Sequence, residues 1–202
     1  VINLMAKLIA PFFRKIFPEI PKNDPVYGTI MLNIAANMLG LDNAATPMGL
    51  KAMDEMQKYN TRKDTASNAQ IMFLVLNTSG LTLIPTTIMV YRAQAGAVDP
   101  TDVFLPILFA TFFSTLIGFL CIAIVQKINL FNKTILLTLG SATAIILGLL
   151  FYLKSLPAES LKIVSSVIGN GILFSIIISF IVAAIIKRVN VFDAFIEGAK
   201  DG

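Results

Sequence analysis

Hydrogen-bonding side chains gather at two points of an otherwise apolar chain, and their types suit the holding of a small polar solute better than covalent chemistry. The first point is Gly40-Leu41-Asp42-Asn43-Ala44-Ala45-Thr46-Pro47. It is preceded by Asn33 and Asn37, four residues apart and therefore on one face of a helix. The second is Asn77-Thr78-Ser79-Gly80, followed by Pro85-Thr86-Thr87. Asn33, Asn37, Asn43, Thr46, Asn77, Thr78, Ser79, Thr86 and Thr87 are the candidate contacts for solute or water, because amides and hydroxyls both donate and accept hydrogen bonds. Gly40, Pro47, Gly80 and Pro85 are candidates for holding the helix breaks open. Asp42 is the one acid within either run, and it reads either as a ligand for a coupling ion or as a helix cap at a wet end.

No catalytic group, resident metal or cofactor is expected. The chain has no His and a single Cys, Cys121, set in an apolar run. The usual general base, the usual partner of a Ser or Cys nucleophile, intrachain disulfides and His or Cys metal sites are thereby missing. The formal charge of +4 is not gathered into a basic stripe with interleaved aromatics, so nucleic acid is not an expected partner.

The elements that must position these residues are those of a membrane protein. Of 202 residues, 56% are hydrophobic and 14% charged, against about 25% charged in soluble domains. Val103 to Gln126, Thr134 to Leu153 and Ile163 to Ile186 contain no Asp, Glu, Lys or Arg, and each has the roughly 20 apolar residues that cross a bilayer. Lys127, Lys133, Lys154, Lys162, Lys187 and Arg188 stand at their ends. The side holding Lys127, Lys133, Lys187 and Arg188 outweighs that holding Arg92, Lys154 and Lys162, which places it in the cytoplasm. Small residues recur at helical spacing in each span: Thr111, Ser114, Thr115 and Gly118; Gly140, Ala144 and Gly148; Gly171, Ser175, Ser179 and Ala183. They suit close helix packing or, alternatively, a solute path. Val1 to Pro18, with Leu4, Leu8, Phe12 and Ile16 spaced by four and Lys7, Arg14 and Lys15 elsewhere, predicts an amphipathic helix at the interface.

The fold class that follows is all-α: a polytopic transmembrane helical bundle with two discontinuous or hairpin segments and an N-terminal amphipathic interfacial helix. Residues 1–101 form a gate-like region with the two polar breaks, 102–188 the three spans, and 189–202 the start of a following segment. Irregular backbone at membrane depth is tolerated only where protein buries it or water reaches it, and two such breaks point to a binding or translocation site. The competing reading makes both breaks short aqueous loops, with Asn43 and Asn77 as caps and Pro47 and Pro85 as punctuation.

Asn37-Met38-Leu39-Gly40-Leu41-Asp42-Asn43-Ala44-Ala45-Thr46-Pro47-Met48-Gly49-Leu50-Lys51-Ala52-Met53 resembles the signature of the spore maturation protein A family. Phe73-Leu74-Val75-Leu76-Asn77-Thr78-Ser79 with Leu83-Ile84-Pro85-Thr86-Thr87 resembles that family's second signature. The resemblance covers most of Val1 to Gln126, whereas the helices from Thr134 to Ile186 match only in hydrophobic character. It implies a polytopic inner-membrane protein with a nucleoside-recognition or gate domain, a label shared with concentrative nucleoside transporters and ferrous iron transporters. In sporulating bacteria it implies a link to dehydration of the spore core. Asn190 to Gly202 resembles the beginning of spore maturation protein B, so a B-like half or a homo-oligomer is the expected partner, besides the lipid bilayer. The family pattern has Gly where this chain has Asp42, which removes a residue that adopts positive φ freely and adds an ionisable group. Together these residues predict a non-enzymatic transporter or permease-like protein for a small polar solute of unknown identity, or else a non-transporting scaffold for envelope or spore maturation.

Overall fold

The computed structural model describes the backbone of residues 10–201; the side chains of Asp42 and of scattered residues in the last two helices lie outside the described set. The described residues contain helices and no strand. They are α1 (10–16), α2 (Val26–Met38), α3 (Asp42–Gln57), α4 (Asn68–Ser79), α5 (Thr86–Gln94), α6 (Phe104–Val125), α7 (Lys133–Lys154), α8 (Ala158–Ile186) and α9 (Val191–Asp201). The all-α reading holds. Of the N-terminal pattern, Leu4, Lys7 and Leu8 lie outside the described residues.

Helix boundaries follow from local chemistry. Ser67 opens α4 with a capping box: its hydroxyl accepts from the Gln70 N–H while the Gln70 side chain accepts from the Ser67 N–H. Gly80 ends that helix in the left-handed region at φ 44°, a conformation that costs Gly nothing. Asn132 caps α7 by accepting from the Thr134 N–H. With 22 residues each, α6 and α7 are about 33 Å long and match the hydrocarbon thickness. The third expected span falls inside α8, a 29-residue helix whose described part includes the apolar stretch Ile177–Ile186.

Two hydrogen bonds define one end of the molecule. Gln126, after α6, donates to the Asn68 carbonyl at 2.8 Å, and Glu19, after α1, accepts from the Ala69 N–H at 3.2 Å. From that end α4 runs antiparallel to α6, and α5 continues to the far end, where Arg92 meets Asp102 at 2.7 Å just before α6 begins. The pair α4 and α5 is thus one discontinuous crossing, of which α4 is laid along α6. By contrast α2 and α3 form a re-entrant hairpin, since Asp24 before α2 bonds Tyr59 after α3. Lys22, Lys58, Arg62, Lys63, Lys127 and Lys133 are all exposed at this end, with Lys187 and Arg188 following α8.

The core has two parts. The larger joins α1 to the hairpin, α4 and the second half of α6: Phe13, Ile16 and Phe17 bury against Ile30, Ala52, Met56, Met72 and Phe119. The amphipathic pattern of α1 is real, with Arg14 and Lys15 exposed, and its apolar face is covered by protein. The smaller part joins Phe104, Leu105 and Leu108 of α6 to Ile146 and Leu153 of α7. Of the small-residue stripes, that of α6 packs inward, where Gly118 lies against Val75 and Ser79. In those of α7 and α8, nothing among the described residues approaches the Cβ positions of Gly140, Gly148 or Gly171 within 4 Å. On α8 it is Gly169 that meets a neighbour, Phe104, at 3.4 Å.

Phe17 is fully buried, so Phe17→Ala should lower the unfolding free energy in detergent by about 3–5 kcal/mol, the usual cost of such a cavity; denaturant titration followed by far-UV circular dichroism checks it. The Asp24–Tyr59 bond closing the hairpin gives a pH test. The Tyr59 hydroxyl and the Val26 N–H hold the Asp24 carboxyl below its ordinary 3.8, and the Asp24 carboxylate raises the Tyr59 hydroxyl above its ordinary 10.0. The acid shift contributes stability above the unfolded carboxyl pKa that is lost as pH falls through the lowered value. The phenol shift contributes stability below the unfolded phenol pKa that is lost as pH rises through the raised value. Melting temperatures of wild type and Tyr59→Phe, compared across pH, should therefore differ most between about 4 and 10 and converge outside that window.

Candidate functional site

The two breaks touch each other. The first is shorter than the sequence suggests: α2 ends at Met38 and α3 begins at Asp42, leaving Leu39-Gly40-Leu41 as the tip of the hairpin. Asn43, Thr46 and Pro47, expected within the break, lie instead in the opening turns of α3 and are exposed. The backbone of Asp42 opens that helix, and its side chain lies outside the described set, so its reading as an ion ligand is untouched by the geometry. The second break is Gly80 to Pro85. Asn77, Thr78 and Ser79, expected to interrupt the chain there, form the last turn of α4, where Asn77 Nδ2 donates to the Phe73 carbonyl at 2.9 Å and Ser79 Oγ to that of Val75 at 2.8 Å. Thr78 points to the exposed side.

Where the tip meets the second break, backbone meets backbone. The Met38 carbonyl, freed at the end of α2, accepts from the N–H groups of Leu83 at 2.8 Å and Ile84 at 3.1 Å. Thr86 Oγ1 donates to the Gly40 carbonyl at 2.8 Å. Asn37 Nδ2 donates to Asn77 Oδ1 at 2.7 Å, joining the last turns of α2 and α4. The approach requires glycine: a Cβ on Gly40 would lie 2.5 Å from the Ile84 carbonyl oxygen and 2.7 Å from Thr86 Oγ1, and the residue sits at φ +66°. The structure thus brings Asn37, Gly40, Asn77 and Thr86 together at the crossing, with Gly80 and Pro85 bounding the second break, and leaves Asn43, Thr46 and Thr78 exposed.

Asn33 stands one turn below the crossing, 2% exposed, between the arms of the hairpin. Its Nδ2 donates to the Ala45 carbonyl at 2.8 Å, a contact made possible by Gly49, whose Cβ would come within 2.9 Å of that nitrogen. Its Oδ1 is buried with no hydrogen-bond partner among the described residues. A further turn down, Thr29 Oγ1 donates to Glu55 Oε2 at 2.7 Å. The arms are therefore held by polar contacts at Thr29 and Asn33, and the tip by its contact with the second break.

Residues of α6 complete the site, and their spacing alone suits either close packing or a solute path. Thr111 Oγ1 accepts from the Thr82 N–H at 3.2 Å while donating to its own helix at the Ile107 carbonyl. Thr115 Oγ1 donates to the Ser79 carbonyl at 3.3 Å, satisfying a group released at the end of α4. These hydroxyls, seven and eleven residues beyond Phe104, stand about 10 and 16 Å along a helix of about 33 Å. The second break accordingly lies between about a third and half of the way along α6, and the first meets it there. On one side of the crossing is a chamber of about 250 Å³ whose walls are nearly all apolar, with Asn37, Gly80, Thr115 and Thr138 at its edge. Among the described residues no group of His, Cys, Asp or Glu is placed to hold a metal ion.

Residues 1–97 match the family model described as Gate: Nucleoside recognition. Over 114 residues, 56% of this chain, the sequence is 43% identical to spore maturation protein A of Bacillus subtilis (strain 168), and the match spans 58% of that relative's length. No solved structure matches the chain significantly. A test of the crossing itself is steric: Gly40→Ala should lower the melting temperature by more than Asn77→Ala, because the added methyl meets fixed backbone whereas the lost amide bond is worth about 1 kcal/mol net. Differential scanning fluorimetry of both variants in one detergent checks the order.

Proposed function

We propose that the chain is a member of the spore maturation protein A family and a permease-like protein of the bacterial inner membrane whose two broken helices gate the passage of a small polar solute, a reading supported by the gate match over residues 1–97 and the 43% identity to a spore maturation protein A over 114 residues. The single observation that carries this reading is the contact of the two breaks within the length of α6, made by Asn37 on Asn77, Thr86 on Gly40 and Leu83 and Ile84 on Met38. Half-helix ends meeting at the midplane are the usual setting of a transporter site. The bonds between them are few, so the crossing is a closed gate that a solute opens by exchanging its own hydrogen bonds for those of the two amides. The unpartnered Oδ1 of Asn33 offers a further acceptor inside the hairpin.

Access is from the outer face of α3. Asn43 and Thr46, three apart and on one helical face, are exposed beside the crossing. Their exposure suits a path along Asn43, Thr46 and Thr87 with its far wall supplied by a second copy or a homologous half. Asp42, at the same turn, is the candidate for ion coupling. The end carrying Lys22, Lys58, Arg62, Lys63, Lys127 and Lys133 faces the cytoplasm.

The competing reading, a membrane scaffold for envelope or spore maturation, is favoured by the outward small-residue faces of α7 and α8, which suit a helical partner. Uptake of a panel of radiolabelled nucleosides, sugars and amino acids into proteoliposomes decides between them. Flux of at least one solute is expected, falling tenfold or more in Asn37→Ala and Asn77→Ala with insertion and oligomer size unchanged. Flux undiminished in both variants, or absent for every solute in the wild type, sinks the gate and leaves the scaffold.

A further inference from the structure

The chamber beside the crossing is the feature of the fold that a polar-solute gate does not use. Its walls come from α1, α2, the end of α4, α6 and α7, with the rings of Phe12, Phe112 and Phe119 among them and, among the described residues, no charged side chain. The polar groups at its edge are turned toward one another: Asn37 Nδ2 toward Asn77 and Thr115 Oγ1 toward the Ser79 carbonyl. A water inside would lack the two to four partners that make a buried site favourable. At about 250 Å³ the space would hold about eight water-sized groups, and its apolar lining suits the same run of methylenes.

The mouth lies on the bilayer side. Thr138 of α7 lines the chamber and is exposed, as are Leu136, Leu137 and Ile145 on the same helix. It is five residues beyond Lys133, or about 7.5 Å along the helix, which is the depth of the upper acyl chain for a lipid whose phosphate rests by the exposed lysines Lys127 and Lys133. We propose that an acyl chain of a membrane phospholipid enters between α6 and α7 and occupies this chamber against Phe112 and Phe119. Burying hydrocarbon there gains no advantage over the bilayer from hydrophobicity alone, so the gain is dispersion contact along walls that would otherwise face a void. The chain would also brace Asn37 and Gly80 from behind. The site stands whether or not the crossing conducts a solute.

The two rings make the test selective, because Phe112 and Phe119 are 8% and 2% exposed whereas Ile145 is 70% exposed. A lipid that stays outside labels Ile145 and cannot reach the rings. The purified protein is reconstituted with a phosphatidylglycerol bearing a diazirine near the end of one acyl chain, irradiated and mapped by residue-resolved mass spectrometry. Label on Phe112 and Phe119 at a level within threefold of that on Ile145 is expected. Ala142→Phe, which fills the chamber from α7, and Thr138→Phe, which narrows its mouth, should each cut the ring label at least fivefold and leave Ile145 unchanged. Should Ala142→Phe fail to fold, Thr138→Phe and the wild-type map carry the same distinction. Label confined to Ile145 and its neighbours overturns the proposal, as does ring label undiminished in both folded variants. Displacement of the ring label by millimolar nucleoside also overturns it, since the chamber would then belong to the solute path.

Discussion

A peptide group released at a helix end has to find a partner wherever water is absent, and in a membrane that requirement costs several kcal/mol per unmet group. The structure around the two breaks is organised by it. Ending α2 at Met38 frees carbonyls, and ending α4 at Ser79 frees more. The Met38 carbonyl is met twice from the other break, that of Gly40 by Thr86, and that of Ser79 by Thr115 of α6. Thr82, whose N–H is freed in the second break, finds Thr111. Each break supplies what the other lacks, with one neighbouring helix making up the remainder.

That mutual satisfaction explains the demand for glycine at position 40. Backbone can serve backbone across two segments only if no side chain stands between them, and the Gly40 Cβ position is already taken by the Ile84 carbonyl and Thr86. It also sets the energy scale of the crossing. Buried hydrogen bonds are expensive to leave unmade yet contribute only about 1 kcal/mol each net when made. A ligand that replaces the partners one for one separates the segments at modest cost, while separation without a replacement leaves several groups bare. Such an element is stable when empty and yields to a molecule of the right hydrogen-bonding chemistry, which is the behaviour asked of a gate.

The sequence carried the ends of this arrangement more clearly than its middle. Gly40, Gly80 and Pro85 stand out because each restricts or frees backbone in a way that helices do not tolerate inside, and Asn37, Asn77 and Thr86 stand out as polar groups in apolar runs. The breaks are shorter than the polar runs suggest, because polarity is not irregularity. Asn43 and Thr46 suit the first turns of a helix as well as a loop, since unpaired N–H groups are there to be met, and Pro47 is held within α3 despite its missing donor. Asn77 to Ser79 remain helical because two of their side chains bond back to carbonyls of the preceding turn. Thr111 and Thr115 carried a packing pattern and turned out to bond the second break, a role that depends on which segment lies opposite and so has no local signature.

The re-entrant hairpin and the full crossing also differ in what they leave exposed. α4 lies along α6, whose hydroxyls and glycine meet its end and the second break, but α3 shows Asn43, Thr46 and Leu50 exposed on one face. Leu50 alone would suit lipid; Asn43 and Thr46, at the depth of the crossing, do not. Charge points the same way, because folding the hairpin back gathers Lys58, Arg62 and Lys63 with Lys127 and Lys133 at one end and leaves its apolar tip alone at depth. On the proposed reading, a tip held by the second break on one side and carrying exposed polar groups on the other is half of a site. What completes it has to offer water or hydrogen-bonding groups at that depth, and a second surface of the same kind would do both.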